Sequence, residues 1–298
     1  MKQAVRNPAV TTQIKNGLNA MLNTAGLQIS TTRSKRMEER RLERLVVRGH
    51  WKEPVFSEGF AQSPEKHLEF LKSVCAPYHR ELSALPVADP GNEEFFRNNG
   101  WFESVDADIL YGILRQFAPP QVIEIGSGYS SRLTARAIRD GRLRTKLICV
   151  DPCPRVDILE CASEFIQSPV EELPPSELSD RLKPGDVLFI DSSHLIMTGG
   201  DVVYLYLQVL PRLRPGVLIH AHDIFLPFEY PQESVLGEHC GWAEQYLVHA
   251  LLLGNRNFEI LWPSCYMWQT HREKVREIIP VKKSLPPPSS LWTRKMDR

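Results

Sequence analysis

One short stretch near the middle of the chain, Gln121–Ser131, constrains the fold more than any other. It begins with an apolar run rich in β-branched residues, which is typical of a strand buried in a parallel sheet. The run breaks at Gly126 and Gly128, where the backbone must turn sharply and a ligand can approach it closely. The residues that follow, 132–139, are predicted to be helical, with serines as N-caps. A strand, a glycine turn and a helix are typical of the nucleotide-binding corner of a doubly wound α/β sheet.

The residues around the glycines favour one cofactor over another. A dinucleotide site requires a third small residue after the turn, and Ser131 occupies that place, so the match is imperfect. Glu124 lies just before the glycines, where a carboxylate would repel a pyrophosphate but would suit a cationic amino group. S-adenosylmethionine carries such a group together with a sulfonium. The segment Glu-Ile-Gly-Ser-Gly (124–128) also resembles the first motif of class I S-adenosylmethionine-dependent methyltransferases.

A second acid follows at the separation expected of a ribose ligand. Residues 146–150 are predicted to form the second strand, which ends at Asp151, about two dozen residues after the glycines. Carboxylate oxygens can accept hydrogen bonds from both ribose hydroxyls, and the carboxyl end of such a strand faces the ligand crevice. Asp151 is therefore predicted to bind the cofactor.

Strands and helices are predicted to alternate from the centre of the chain to its end. Further strands are predicted at 165–167, 186–190, 217–219, 258–262 and 291–293, and helices at 106–117, 202–213 and 242–253. Alternation of this kind favours an α/β fold with one mostly parallel sheet. The predicted fold is thus a doubly wound, Rossmann-like sheet.

Five polar side chains follow the fourth and fifth predicted strands: Asp191, His194, His220, His222 and Asp223. The carboxyl ends of neighbouring parallel strands meet at one edge of the sheet, so these groups should lie close together. In one hypothesis, Asp191, His222 and Asp223 bind a divalent cation such as Mg²⁺, which lowers the pKa of an acceptor hydroxyl. In the other, no metal binds and His194 or His222 is the general base.

Six segments carry a resemblance to a known family. They are Val-Asp-Ala-Asp-Ile-Leu-Tyr (105–111), Ile-Glu-Ile-Gly-Ser-Gly-Tyr-Ser-Ser (123–131), Gly-Asp-Val-Leu-Phe-Ile-Asp-Ser-Ser-His (185–194), Leu-Pro-Arg-Leu-Arg-Pro-Gly-Val-Leu (210–218), His-Ala-His-Asp-Ile-Phe-Leu-Pro-Phe-Glu-Tyr-Pro (220–231) and Glu-Gln-Tyr-Leu (244–247). Together they resemble the type 24 family of class I methyltransferases, which is similar to small-molecule and sugar O-methyltransferases. The resemblance covers about two-thirds of the chain and implies a seven-stranded sheet and S-adenosylmethionine as cofactor.

The resemblance also implies roles for particular residues. It implies cofactor contacts at Glu124, Gly126, Gly128, Asp151 and Asp191, and we add Ser127, Tyr129 and Ser130 because they continue the same turn. Asp191 and Asp223 lie where catechol-type relatives hold metal-binding acids. His222 departs from those relatives, in which that position is apolar or acidic. The predicted catalytic residues are His194, His222 and Asp223.

Composition narrows the possible partners and compartments. The chain has 298 residues, and Lys+Arg and Asp+Glu both number 36, so no overall charge favours nucleic acid or an acidic membrane surface. No apolar run is long enough for a transmembrane helix, and residues 1–20 lack the apolar core of a secretory signal. Six scattered cysteines predict free thiols in a reducing cytoplasm.

Two domains are predicted from the distribution of motifs. Residues 1–97 are expected to form a helical extension or cap, which could also support a homodimer, because amphipathic runs occur there without any recognised motif. Residues 98–298 are expected to form the cofactor-binding domain.

The sequence therefore predicts an enzyme that transfers a methyl group from S-adenosylmethionine to an oxygen or nitrogen of a small molecule, such as a natural-product or sugar intermediate. Two alternatives of other classes stay open. One is a hydroxylase-type oxidoreductase on the same fold, because a fold does not determine a function. The other is a non-catalytic nucleotide-binding protein, against which Glu124, Gly126 and Asp151 argue.

Overall fold

The computed structural model of the protein describes residues 8–25, 32–58, 60, 63–103, 105–279 and 287–297. The chain divides into two compact units, Met1–Glu53 and Pro54–Arg298. The first unit contains helices α1 (Pro8–Leu22) and α2 (Thr32–Val47). Apolar side chains such as Ile14 and Met37 are exposed on these helices.

The second unit contains nine further α-helices and seven strands among the described residues. The helices are α3 (Pro64–Cys75), α4 (His79–Ser83), α5 (Asp106–Phe117), α6 (Tyr129–Gly141), α7 (Pro175–Ser179), α8 (Asp201–Tyr204), α9 (Gln232–Leu236), α10 (Glu244–Leu252) and α11 (Ser264–Ile278). The strands are β1 (Gln121–Ile125), β2 (Lys146–Val150), β3 (Glu164–Ile166), β4 (Val187–Ile190), β5 (Leu218–Ala221), β6 (Phe258–Pro263) and β7 (Leu291–Lys295).

The seven strands form one sheet in the order β3-β2-β1-β4-β5-β7-β6. Strands β1 to β5 pair in parallel, and β7 pairs antiparallel with both β5 and β6. The strand order reverses between β1 and β4, which is the switch point where ligands bind in open α/β sheets. The predicted doubly wound sheet of seven mostly parallel strands is therefore confirmed.

The apolar core lies on both faces of this sheet. Alternate residues of the central strands face opposite sides, so Val122 packs in one cluster and Ile123 in the other. The first cluster includes the buried faces of α3 and α5, and the second includes residues that follow α8. Burial on both faces explains why these strands are apolar almost throughout.

The helix predicted at 202–213 is present but irregular. Helix α8 continues into a π-helical turn, Leu205–Val209, and ends in a 3₁₀ turn, Leu210–Arg212. A π turn inserts one residue into a helix and often marks a functional site. Tyr206 lies within this turn and is buried.

Helix α3 packs tightly on α5. A Cβ atom added at Gly112 of α5 would lie 2.3 Å from the carbonyl oxygen of Val74, so glycine is needed at this crossing. Leu71 and Val74 of α3 are fully buried in the core. The two compact units divide between Glu53 and Pro54, and the predicted boundary near residue 97 stays a prediction, because compactness does not show where a domain begins.

We expect two truncations to differ strongly. A chain that begins at Asn98 lacks α3 and exposes the buried face of α5, so it should lose the cooperative melting transition or aggregate. A chain that begins at Pro54 keeps α3 and should melt cooperatively. Thermal melting and sizing chromatography of both chains measure this difference, and a stable monomer beginning at Asn98 would contradict it.

Candidate active site

A cavity of about 1070 Å³ opens at the carboxyl ends of β1, β2, β4 and β5. Its volume lies at the upper end of the roughly 300–1,000 Å³ that is typical of ligand-binding pockets. Its lining includes the glycine turn, the residues after β2, β4 and β5, and side chains from residues 100–106 and 225–242. The predicted crevice is thus a single cavity.

Gly126 is required by the backbone that crosses it. Its φ is +82°, and a Cβ atom there would lie 1.8 Å from the carbonyl oxygen of Asp191. The amide of Asp191 also donates to the carbonyl of Ile125, at 2.9 Å. The close approach predicted at Gly126 is thus made by the end of β4. Gly126 also lines the cavity, and its predicted contact with the cofactor stays a prediction.

Gly128 also lines the cavity, and it has open space beside its backbone. A Cβ atom added there would meet no protein atom within 4 Å. Helix α6 begins at the next residue, Tyr129, so the predicted serine N-caps are wrong. Ser131 instead accepts a hydrogen bond from the Gly128 amide at 3.1 Å, from inside the first turn.

Glu124 lies behind the turn and is not part of the cavity lining described above. Its side chain is buried and accepts a hydrogen bond from the hydroxyl of Ser130. Burial raises the pKa of Glu124 to about 8, although the hydrogen bond from Ser130 favours the charged form. Its predicted contact with the amino group of a cofactor stays a prediction.

Asp151 stabilises the turn and also lines the cavity. One of its carboxylate oxygens accepts a hydrogen bond from the amide of Ser127 at 2.6 Å, and the other from the amide of Cys153 at 2.7 Å. Each oxygen has a second lone pair, which leaves acceptor capacity for a ligand hydroxyl. This geometry is consistent with the predicted ribose contact.

The structure brings four of the predicted residues together on the cavity wall. The Nε2 atom of His194 lies 3.4 Å from Oδ1 of Asp191 and 3.5 Å from Oδ2 of Asp223. The Nδ1 atom of His222 lies 3.6 Å from Oδ1 of each aspartate. We call these four side chains the His–Asp cluster. His194 and Asp223 have φ values of +60° and +53°, a region that non-glycine residues seldom adopt.

Glu244, which the sequence did not single out as a functional residue, holds His194 in place. Its fully buried carboxylate accepts hydrogen bonds from Nδ1 of His194 at 2.8 Å and from the hydroxyl of Tyr206 at 2.6 Å. The carbonyl of His194 accepts the amides of Ala243 and Glu244, at the start of α10. The ring is thereby oriented with Nε2 toward the two aspartates.

Asp106 and Ser289 complete the surroundings of the cluster and were also missed. Oδ2 of Asp106 lies 3.8 Å from Nε2 of His222 and accepts the amide of Ser289 at 2.7 Å. The hydroxyl of Ser289 donates to Oδ1 of Asp223 at 3.0 Å. Both residues are distant from the cluster in sequence, so only the family motif containing Asp106 could have drawn attention to it.

His220 belongs to the core and does not line the cavity as described. Its ring stacks on Phe189 with centroids 3.8 Å apart, and its Nε2 atom pairs with the hydroxyl of Ser290 at 2.8 Å. Burial, followed by the charge on His222, lowers the pKa of His220 well below its usual value. His220 was predicted to be one of the polar residues of the site, but it packs in the core instead.

The carboxylates favour protonated histidines in the cluster. Burial opposes charge on His222, but Asp191 and then Asp223 outweigh it and raise its pKa to about 9. Burial likewise opposes charge on His194, but hydrogen bonds to Asp191 and Glu244 raise its pKa well above the usual value. Desolvation opposes charge on the half-buried Asp191, yet the charge on His222 holds its pKa well below its usual value.

The arrangement of the cluster does not fit a preformed metal site. Among the described residues, no group of three or more His, Cys, Asp or Glu side chains is placed to hold a metal ion. The predicted ligands Asp191, His222 and Asp223 do lie together, but the imidazole nitrogen faces carboxylates with which it forms ion pairs. A metal could enter only by displacing the proton on that nitrogen.

The central segment of the chain matches a known family. The model of the type 24 family, described as a methyltransferase domain, matches residues 123–224, about a third of the chain. The matched segment is a methyltransferase domain. It contains the glycine turn, Asp151 and the whole His–Asp cluster. The match agrees over these residues with the family predicted from the sequence and with the predicted class of enzyme, an S-adenosylmethionine-dependent methyltransferase.

Comparisons with whole proteins give only remote similarities. No curated protein matches the sequence. Among solved structures, an O-methyltransferase from Bacillus cereus in complex with S-adenosylhomocysteine (SAH) is 13% identical, with 80% of this chain and 92% of that chain covered and a TM-score of 0.39. An SAH-bound methyltransferase from Podospora anserina is 14% identical, with 91% and 98% covered and a TM-score of 0.39.

A methyltransferase of the mycinamycin biosynthetic pathway, in complex with Mg, SAH and mycinamycin VI, is 17% identical, with 61% of this chain and 47% of that chain covered and a TM-score of 0.35. Similarities this remote say nothing about the acceptor or the metal of this protein. Within the described part of the chain, no helix has both the length and the apolar character needed to cross a bilayer.

We expect the two glycines of the turn to respond differently to valine. Gly128→Val should weaken binding of S-adenosylmethionine and SAH at least about tenfold, or about 1.4 kcal/mol, because its side chain enters the cavity. Its melting temperature should stay near that of the wild type, since the added atoms meet no protein atom. Gly126→Val should instead lower the melting temperature, because of the clash with Asp191. Calorimetric titration measures the affinities and thermal melting the stabilities of both variants. An unchanged affinity of Gly128→Val for SAH would contradict the predicted contact of Gly128 with the cofactor.

The raised pKa of His222 predicts a dependence of stability on pH. Because its pKa of about 9 in the folded protein exceeds the usual 6.5, its contribution is complete below pH 6.5 and is lost as the pH rises through 9. We expect the free energy of unfolding to fall over this window by on the order of 3 kcal/mol, from 1.36 kcal/mol per pKa unit.

Urea unfolding at pH 6, 7, 8 and 9, with chelator present, measures this loss. His222→Gln should flatten the decline, whereas His79→Gln, a change at an exposed histidine, should not alter it. An equally steep decline in His222→Gln would show that the charge of His222 does not stabilise the fold.

Proposed function

We propose that the protein transfers a methyl group from S-adenosylmethionine to an oxygen or nitrogen atom of a small molecule, with His194 as the general base. One observation carries this proposal: a single cavity joins the open face of Gly128 and the carboxylate of Asp151 to the His–Asp cluster. All of these residues lie in the segment that matches a methyltransferase domain.

The residues at one end of the cavity suit the cofactor. Gly128 leaves open space beside the backbone, and the start of α6 directs unpaired amides toward a ligand carboxylate. Asp151 would accept the ribose hydroxyls, and Glu124 would favour the cationic amino group from behind the turn. Ser127, Tyr129 and Ser130 line the same end of the cavity. When bound, S-adenosylmethionine supplies an electrophilic methyl group on a positively charged sulfur.

His194 is the side chain best placed to receive the proton of the acceptor. Glu244 accepts a hydrogen bond from Nδ1–H of His194, so Nε2 remains toward Asp191 and Asp223 on the cavity wall. In the transfer, the acceptor atom forms a bond to the methyl carbon as the sulfur–carbon bond breaks, and the electron pair of that bond stays on sulfur. The proton of the acceptor passes to Nε2, so atoms and charges balance.

The charge state of His194 should control turnover. Only the neutral ring can accept a proton, and the raised pKa of His194 means that this form increases toward alkaline pH. Alignment of the acceptor with the methyl group would supply much of the remaining acceleration. Asp191 and Asp223 would stabilise the imidazolium that forms.

A divalent cation held by Asp191, His222 and Asp223 is the second candidate arrangement. The observation in its favour is that Nδ1 of His222 lies 3.6 Å from a carboxylate oxygen of each aspartate, and that all three side chains line the cavity. A cation there would lower the pKa of an acceptor hydroxyl. No step of the reaction proposed above depends on it.

Transfer of radioactivity from methyl-labelled S-adenosylmethionine to fractions of a metabolite extract tests the proposal and isolates an acceptor. We expect the label to enter a small molecule, and with that acceptor we expect chelator to leave turnover unchanged. His194→Gln and Glu244→Gln should each lower kcat by about 10²–10⁴-fold, the usual contribution of a general base. SAH affinity should stay near the wild-type value in both variants.

Other outcomes distinguish the alternatives. Loss of turnover with chelator and its return with Mg²⁺ would replace the histidine base with a metal, and Asp223→Ala should then lose turnover as well. An oxidised rather than methylated product would favour the hydroxylase alternative. Binding of SAH without any labelled product would favour a non-catalytic binding protein.

A further inference from the structure

The cavity is strongly acidic, although the chain as a whole is neutral. Lys+Arg and Asp+Glu both number 36 in the sequence, yet eight carboxyl side chains line the cavity against one arginine, Arg155. No lysine lies among the described residues of the lining. An imbalance this large, confined to one concave surface, attracts cations and repels anions.

Part of this charge already has a partner. Asp151 accepts two backbone amides at the cofactor end, and Asp201 accepts the amide and the hydroxyl of Ser193 at 2.7 and 2.6 Å. Arg155 lies over the ring of Trp101, with its guanidinium carbon 3.3 Å from the ring centroid. Asp151, Asp201 and Arg155 therefore do not offset the charge around the His–Asp cluster.

The end of the cavity beyond the cofactor keeps an excess of negative charge. Its acids are Asp106, Asp191, Asp223 and Glu238, and its basic side chains among the described residues are His194 and His222. Burial raises the pKa of Asp106 and so disfavours its charge. The carboxylates of Asp191, Asp223 and Glu238, with Glu244 behind His194, still outnumber the two imidazolium groups. A cationic sulfonium at the other end offsets one more charge and leaves the excess in place.

Glu238 is the acid most available to an acceptor. It is exposed, and the hydrogen bond described for its carboxylate comes from the thiol of Cys240, at 3.6 Å. The rings of Phe225 and Trp242 line the same end of the cavity. Aromatic faces beside carboxylates are the surroundings that organic cations favour.

We propose that the acceptor carries a positive charge, on an ammonium or guanidinium group attached to an apolar or aromatic body. This proposal rests on the transfer function proposed above and specifies its substrate class. Acceptors whose charge is a phosphate or a carboxylate are excluded by the same residues, because the described lining near the cluster offers them no basic partner other than the two histidines.

Two probes of one shape and opposite charge test the proposal. Tyramine and 3-(4-hydroxyphenyl)propionate share a phenol ring and a two-carbon chain, and they end in an ammonium and a carboxylate. Each is titrated by calorimetry into the full-length protein saturated with SAH, with chelator present. We expect tyramine to bind at least about tenfold more tightly, which corresponds to about 1.4 kcal/mol.

Variants locate the charge that is responsible. Glu238→Gln should weaken tyramine about three- to tenfold, as expected for loss of one carboxylate at the edge of a cavity, and should leave SAH affinity unchanged. Glu160→Gln is the matched control, because Glu160 is exposed and lies outside the described lining. It should change neither affinity.

Several results would overturn the proposal. They are equal or tighter binding of the propionate, binding of neither probe at millimolar concentration, equal weakening by both glutamate variants, and a preference for the propionate once Mg²⁺ is added. If SAH fails to bind the wild-type protein, the transfer function fails instead. If SAH binds and the preference is absent, only the cationic acceptor is rejected.

Discussion

The contact on which the site depends is the close crossing of two strand ends. The carbonyl of Asp191 passes so near the α-carbon of Gly126 that no side chain can stand between them. This contact holds the end of β1 against the end of β4, and the glycine turn therefore lies beside the first acid of the His–Asp cluster. The cofactor end and the chemical end of the cavity are adjacent because of it.

The cluster itself is stabilised by alternation of opposite charges. Two histidines separate carboxylates that would otherwise repel one another in a buried place, and Glu244 and Tyr206 continue the series into the core. Removing charges from water costs several kcal/mol per ion, so such a group is stable only when each member has a partner. The same pairing raises the basicity of the imidazoles, which is the property that a proton acceptor needs.

The sequence predicted the sheet well because the signals that build it are local. Apolar runs that end in Gly126, Asp151 or Asp191 indicate buried strands and the polar residues that follow them. Contacts between segments that are far apart in the sequence leave no such local pattern. Glu244 follows His194 by 50 positions, and only the folded chain shows the hydrogen bond between them.

The local sequence pattern also failed for residues whose role is set by their neighbours in the folded chain. His220 and His222 lie two residues apart on one face of β5 and its extension, with ring centroids 5.9 Å apart, so their spacing does not distinguish them. Phe189 stacks on His220 and burial lowers the pKa of that ring, whereas His222 reaches the acids. The start of α6 was misplaced for a similar reason, since Ser131 serves the Gly128 amide from inside the helix.

The left-handed backbone at His194 and Asp223 limits how this chain can evolve. Residues held in this region cost roughly 1–3 kcal/mol each unless they are glycine, so the protein gives up stability at two positions in its cavity. Glycine or asparagine at either position would relax the backbone and would remove a group of the cluster. Relief of the strain would therefore leave buried charges without their partners, so selection for stability and selection for turnover both act against such a replacement.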